Sequence, residues 1–163
     1  MCHKLGITYV GRDWHKGQMK SAMLNKKIRV SLYGVLVEKE KVLLVRTKLP
    51  TGSVINFPGG ALEWDEHPLE GLKREFYEET GLKVKTTALL FASEKKHFFP
   101  NRPENHCYCV YYSVESSDAS SIQIIDEEEI LDCFWYPVSD LPHPEMSGPE
   151  FEFCERLGKS VFL

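Results

Sequence analysis

The chain has 163 residues, 42% hydrophobic and 27% charged, with a formal net charge of −4. That composition sits near the globular average, which argues against a disordered, collagen-like or coiled-coil chain; the length suits one domain burying roughly 70% of its unfolded surface. No apolar run approaches the ~20 residues of a transmembrane helix, and no apolar core follows Lys4, Arg12, Lys16 and Lys20, so neither a membrane span nor a secretory signal is expected.

Residues 1–27 are polar and basic without a clear period and are set apart as an N-terminal extension; residues 28–163 are read as the domain. Ile28–Val37 is rich in Val, Ile, Leu and Tyr and reads as a buried strand, followed by a charged turn and a second strand, Val42–Val45. Thr51-Gly52-Ser53 marks a loop, and Asn56-Phe57-Pro58-Gly59-Gly60 a sharp break. The clearest helix opens at Pro68 and ends before Gly81, with Leu69, Leu72, Phe76 and Thr80 on one face. Val84–Ser93 and Cys107–Glu115 read as strands around a loop holding His97, Phe98, Phe99, Pro100 and Pro103. Leu131–Tyr136 is a last strand, and Glu150–Leu157 a short amphipathic helix. Interspersed strands and helices predict an α/β class, with helices packed on a mixed sheet.

Five cysteines without a CxxC pair fit a reducing, cytoplasmic setting. Cys107 and Cys109 share one face of their strand and are expected as buried thiols rather than metal ligands. The charge is uneven. Residues 1–50 carry 11 Lys and Arg against 3 Asp and Glu, whereas residues 101–163 carry 3 against 13. These are ordinary solvated faces, or else a basic surface beside an acidic one, which suits a metal site facing a phosphate-rich substrate. No basic stripe marks a nucleic-acid binder.

Glu75, Glu78 and Glu79 stand at i, i+3 and i+4, so their carboxylates share a helix face and repel by a few tenths of a kcal/mol. Hard oxygen donors at that spacing suit Mg²⁺ or Mn²⁺, and Arg74 is placed to hold Glu75. Spacing alone equally admits an exposed acidic face. The wider pattern decides. Gly60, five residues, Glu66, seven residues, then Arg74-Glu75-Phe76-Tyr77-Glu78-Glu79-Thr80-Gly81-Leu82 resembles the Nudix box, G-x5-E-x7-R-E-U-x-E-E-x-G-U, where U is bulky and aliphatic. Every fixed position matches, an accident on the order of one in 10⁸ to 10⁹ per start site. Phe76 departs, being aromatic where Ile, Leu or Val is usual. His67 stands where a small hydroxyl residue often caps the helix. Pro58-Gly59-Gly60, the hairpin over 28–46 and Trp135-Tyr136-Pro137 with Leu141-Pro142 extend the resemblance to residues 28–142.

The resemblance implies a Nudix α/β/α sandwich around a mixed sheet. It also implies hydrolysis of a pyrophosphate linkage in a nucleoside diphosphate joined to another group, by a metal-bound water. The expected metal ligands are Glu75, Glu78, Glu79 and the carbonyl of Gly59, with Mg²⁺ as cofactor and Mn²⁺ as its substitute. Arg74 is expected to orient Glu75, and Glu66 to brace the loop–helix junction through backbone amides. The general base is a box glutamate or one from the acidic run 126–129; Glu128 is the first choice on position. Arg46 and Arg102 are candidate phosphate contacts, as are Lys48 and Lys95, and Phe99 is a candidate stacking partner for a base. His97 and His106 have no evident catalytic partner. No substrate marker of a subfamily fits cleanly: Pro100 falls late, Phe99 replaces a tyrosine, and Ile55 replaces a tryptophan. Nucleotide sugars, ADP-ribose-type compounds and nucleoside triphosphates stay open as substrates. The alternative reading is a non-catalytic, nucleotide-sensing Nudix domain. Many relatives dimerise, which makes a homodimer the expected assembly.

Overall fold

The computed structural model describes residues 27–99 and 102–158, apart from the side chains of residues 99, 102–104 and 157. All of the expected N-terminal extension except Lys27 lies outside the described residues. The elements run β1 (Lys27–Glu38), β2 (Lys41–Leu49), β3 (Gly52–Asn56), β4 (Gly59–Ala61), α1 (Pro68–Thr80), β5 (Val84–Ala92), β6 (His97–Phe99), β7 (Arg102–Ser116), β8 (Ile130–Pro137) and α2 (Gly148–Leu157). Strands β3-β2-β1-β7-β5 lie side by side, with β4 on β1, β6 on β7 and β8 on β2. β1 and β7 run parallel and every other pair is antiparallel, which makes the sheet mixed.

The period-2 alternation of β1 sorts its side chains onto two cores. Leu32 and Leu36 join Leu72 and Phe76 of α1 on one face. Tyr33 and Val35 join Phe153 and Cys154 of α2 on the other. This is the expected three-layer sandwich. Between Leu32 and Leu36, Gly34 makes room for α1: a Cβ there would stand 2.6 Å from Phe76 Cδ2. The aromatic departure at Phe76 is thus matched by a missing side chain on the facing strand. Cys107 and Cys109 are fully buried in the α2-side core, and the described cysteines are free thiols.

Two segments differ from expectation. Thr51-Gly52-Ser53 is no plain loop, because Leu49 pairs Gly52 across a two-residue hairpin turn and β3 begins at once. The expected loop at 97–103 holds β6 and the start of β7, with His97 opposite Cys107 and Phe99 opposite Arg102. Both strands are too short for a period to show, and their pairing comes from the partner strand. Helix α1 keeps its ends: Gly81 adopts φ 70° and donates to Tyr77 O at 2.7 Å, while His67 Nδ1 accepts from Leu69 N at 3.3 Å. The imidazole therefore caps where a hydroxyl was missing. Its buried face is Gly71, Leu72, Phe76 and Thr80; Leu69 is only half-buried. Among the described residues no helix is long and apolar enough to cross a membrane.

Candidate active site

Arg74 is the hub of the carboxylate cluster. Its Nε and Nη2 grip Glu66 at 2.9 and 3.0 Å, and its Nη1 reaches Glu75 Oε1 at 3.0 Å and Glu78 Oε2 at 3.1 Å. Glu66 also accepts from the Glu63 amide at 3.2 Å, so it ties the loop to the helix through both a guanidinium and a backbone N–H. Gly71 lies under this pair, since a Cβ there would meet Glu66 Oε2 at 2.6 Å. Glu79 turns the other way and accepts from the Gly59 amide at 2.7 Å.

Two glycines let β4 approach the helix. A Cβ on Gly60 would lie 2.4 Å from Glu75 Oε2, and one on Gly59 would lie 2.1 Å from the Leu32 carbonyl. The Pro-Gly-Gly loop is therefore fitted to the box glutamates on one side and to β1 on the other.

The acidic run is docked on the end of α1. The amides of Ile125 and Asp126 donate to Glu78 O at 3.2 and 2.8 Å, and Gln123 N donates to Thr80 O at 2.9 Å. Asp126 Oδ1 accepts from the amides of Glu128 and Glu129, both at 3.1 Å. The loop charges that bear most on Glu79 are those of Glu129 and Asp126. Glu128 is exposed in this turn.

Burial drives the electrostatics of the site. It pushes Glu79 well above the usual carboxylate range, against the Gly59 N–H bond, and Glu75, Glu129 and Asp126 add to the rise. Burial also raises Glu75, which Arg74 partly offsets. Such carboxylates hold protons more tightly folded than unfolded. Their ionisation opposes folding from the unfolded carboxylate pKa, about 4.3, up through the raised folded values. In EDTA, the melting temperature is expected to fall as pH rises above the unfolded carboxylate pKa, and saturating Mg²⁺ to reverse that fall. Thermal unfolding with and without the ion checks this. A Mg²⁺ response as large in Glu79→Gln as in the unaltered protein would sink it.

Other expected site residues lie apart from the carboxylates or in different company. Arg46 on β2 is occupied: Nη1 meets Glu145 Oε2 at 2.5 Å and Ser53 Oγ at 3.1 Å. The side chains of Phe99 and Arg102 lie outside the described residues. His97 does have a partner, contrary to expectation. Its Nε2 lies 2.6 Å from Glu152 Oε2 on α2, in a largely buried contact. Sequence inspection also passed over Arg29, a half-buried β1 residue whose charge reaches Glu75. No local motif marks either residue.

The fold thus holds a glutamate-bearing helix against a Pro-Gly-Gly loop. The sequence profile of the NUDIX domain matches residues 25–157. The chain belongs to the Nudix hydrolase family. A MutT-like protein of Streptomyces ambofaciens is 42% identical over 60 residues, 37% of this chain and 38% of that protein. The match thus spans little over a third of that relative. Among solved structures, a MutT NUDIX hydrolase from Burkholderia pseudomallei superposes with TM-score 0.68 at 21% identity, covering 80% of this chain and 98% of that one. A MutT protein from Methanosarcina mazei Go1 does so with TM-score 0.70 at 20% identity, covering 85% and 98%. At these identities the superpositions speak to fold.

Proposed function

We propose that the chain hydrolyses the pyrophosphate linkage of a nucleoside diphosphate joined to another group, using Mg²⁺ or Mn²⁺. One observation carries the reading: the box glutamates crowd their negative charge around one guanidinium, and burial raises Glu75 and Glu79 further. A divalent cation relieves that repulsion, and all the donors are hard oxygens. As placed, no three carboxyl, thiol or imidazole groups among the described residues converge on a point. Glu75 and Glu78 turn to Arg74, so holding one ion with Glu79 requires at least one carboxylate to rotate. The donor chemistry fits, and the Gly59 carbonyl is the fourth proposed ligand.

When bound, the cation supplies charge neutralisation on phosphate oxygens and acidifies water. The chain's own residues do the rest. Arg74 limits the rotamers of Glu75 and Glu78, and Glu66 keeps Arg74 in place. The Gly59 amide holds Glu79 and so couples the loop to the helix. Glu128 is the proposed general base, and Glu129 competes with it because its charge bears on Glu79. Arg46, Phe99 and Arg102 are the proposed substrate contacts; Arg46 would have to exchange Glu145 for phosphate.

The test is product analysis on ADP-ribose, nucleotide sugars, diadenosine polyphosphates and nucleoside triphosphates with Mg²⁺. Turnover of one class that is lost in Glu79→Gln supports the reading and names the substrate. Nucleotide binding without turnover of any member would move the assignment to a sensing domain.

A further inference from the structure

The sheet face that carries α1 is left open at one end. Leu32 and Leu36 of β1 pack under the helix, and Val30 reaches the same core. Ile28 shares that face by the period of the strand, yet it is 75% exposed. In the parallel register of β1 and β7, Ile28 lies beside His106 and Val30 beside Tyr108. Tyr108 is 41% exposed and Phe98 of β6 55% exposed, and the Phe98 ring meets His106 with centroids 5.7 Å apart. Three neighbouring strands thus set Ile28, Tyr108 and Phe98 in one apolar patch. Leu62 N donates to Val30 O at 2.9 Å, so the turn after β4 leaves from the same end, and its Trp64 is 99% exposed. Single exposed apolar side chains are ordinary, but a cluster of large ones marks an interaction surface.

Where the chain enters the sheet says what covers this patch. Residues 1–26 precede β1, whose first two residues are Lys27 and Ile28, so the segment joins the domain at the rim of the patch. Crossing from β1 over β7 to β6 takes two strand spacings, ~10 Å, which about three or four extended residues span. Met23 and Leu24 lie within that reach, and Met19 and Trp14 stand farther back. The tether makes the encounter intramolecular, with an effective concentration on the order of mM that a separate partner must exceed. Charge agrees. Residues 1–26 hold Lys4, Arg12, Lys16, Lys20 and Lys26 against Asp13 alone, and the turn beside the patch exposes Glu63 and Asp65. Lys95 and Lys96 are exposed before β6, so the acidic rim lies on the β4 side.

We propose that residues 1–26 fold back over this end of the sheet, with Met23, Leu24 and the residues before them seated on Ile28, Tyr108 and Phe98. The inference is independent of the hydrolase reading. A segment seated there borders the turn whose Glu63 and Glu66 contact Arg74.

The experiment follows tryptic cleavage after Lys16 and Lys20 in the full chain by mass spectrometry. Tyr108→Glu and Leu24→Asp are each expected to raise that rate about tenfold or more. The double variant should go no faster than either alone, because both break the same contact. The unaltered protein should be cut at a rate that does not depend on its concentration. Rates within about twofold of the unaltered protein in both single variants overturn the proposal. Cleavage that slows as protein concentration rises also overturns it, and assigns the patch to a second copy of the chain. Hydrogen exchange on the unaltered protein decides the matter even where a variant fails to fold. Slowed amides over residues 20–26 are expected, and exchange there at the rate of an unstructured peptide sinks the proposal.

Discussion

Glu79→Gln is expected to reduce turnover on the order of 10³-fold, because metal stabilisation of transition-state charge contributes several kcal/mol. The fold should survive. Gln keeps an acceptor for the Gly59 amide, which now bonds Glu79 at 2.7 Å. It also removes a buried negative charge that sits in the field of Glu75, Glu129 and Asp126. In EDTA at neutral pH the variant should therefore melt at the same temperature as the unaltered protein or higher. Activity assays paired with thermal unfolding check both halves. A variant that loses activity together with stability would make Glu79 a structural residue instead.

Gly59→Ala is expected to be the most damaging alanine substitution among the described glycines. The residue sits at φ 141°, where an L side chain is strained by about 1–3 kcal/mol. Its Cβ would also stand 2.1 Å from the Leu32 carbonyl and 2.8 Å from Tyr33 Cα, both backbone atoms of a central strand. Overpacking of that kind costs a further ~1–3 kcal/mol. Gly52→Ala is the matched control, with φ 108° and nothing within 4 Å of the new methyl. Urea denaturation should show a small loss for Gly52→Ala and a loss larger by the clash for Gly59→Ala. Equal losses would mean that β4 moves aside cheaply. In that event Glu79 should lose its anchor and activity should fall despite a stable fold.

Much of this site is readable before folding is considered. The stripe ending at Phe76 and Thr80, the Pro68 start and the Gly81 stop are all local, so they mark α1 without reference to any other segment. The glutamates share a face for the same reason. β1 and β7 are long enough to show their apolar character; β3 and β6 are not, and each exists because a neighbouring strand supplies its hydrogen bonds. Gly34 illustrates the intermediate case: it looks like a flaw in a strand until Phe76 is seen to occupy its space.

The charge pairings were beyond such reading. His97 and Glu152 are 55 positions apart, Arg46 and Glu145 99 apart, and nothing in either neighbourhood names the other. Which member of the acidic run acts on Glu79 depends on how residues 123–126 hydrogen-bond to the end of α1. The sequence by itself determined the family, the helix and the donor types, since spacing within one element follows from backbone geometry alone. Tertiary structure decided which charges meet. Those contacts join distant segments, and only strand register and core packing bring them within a few ångströms.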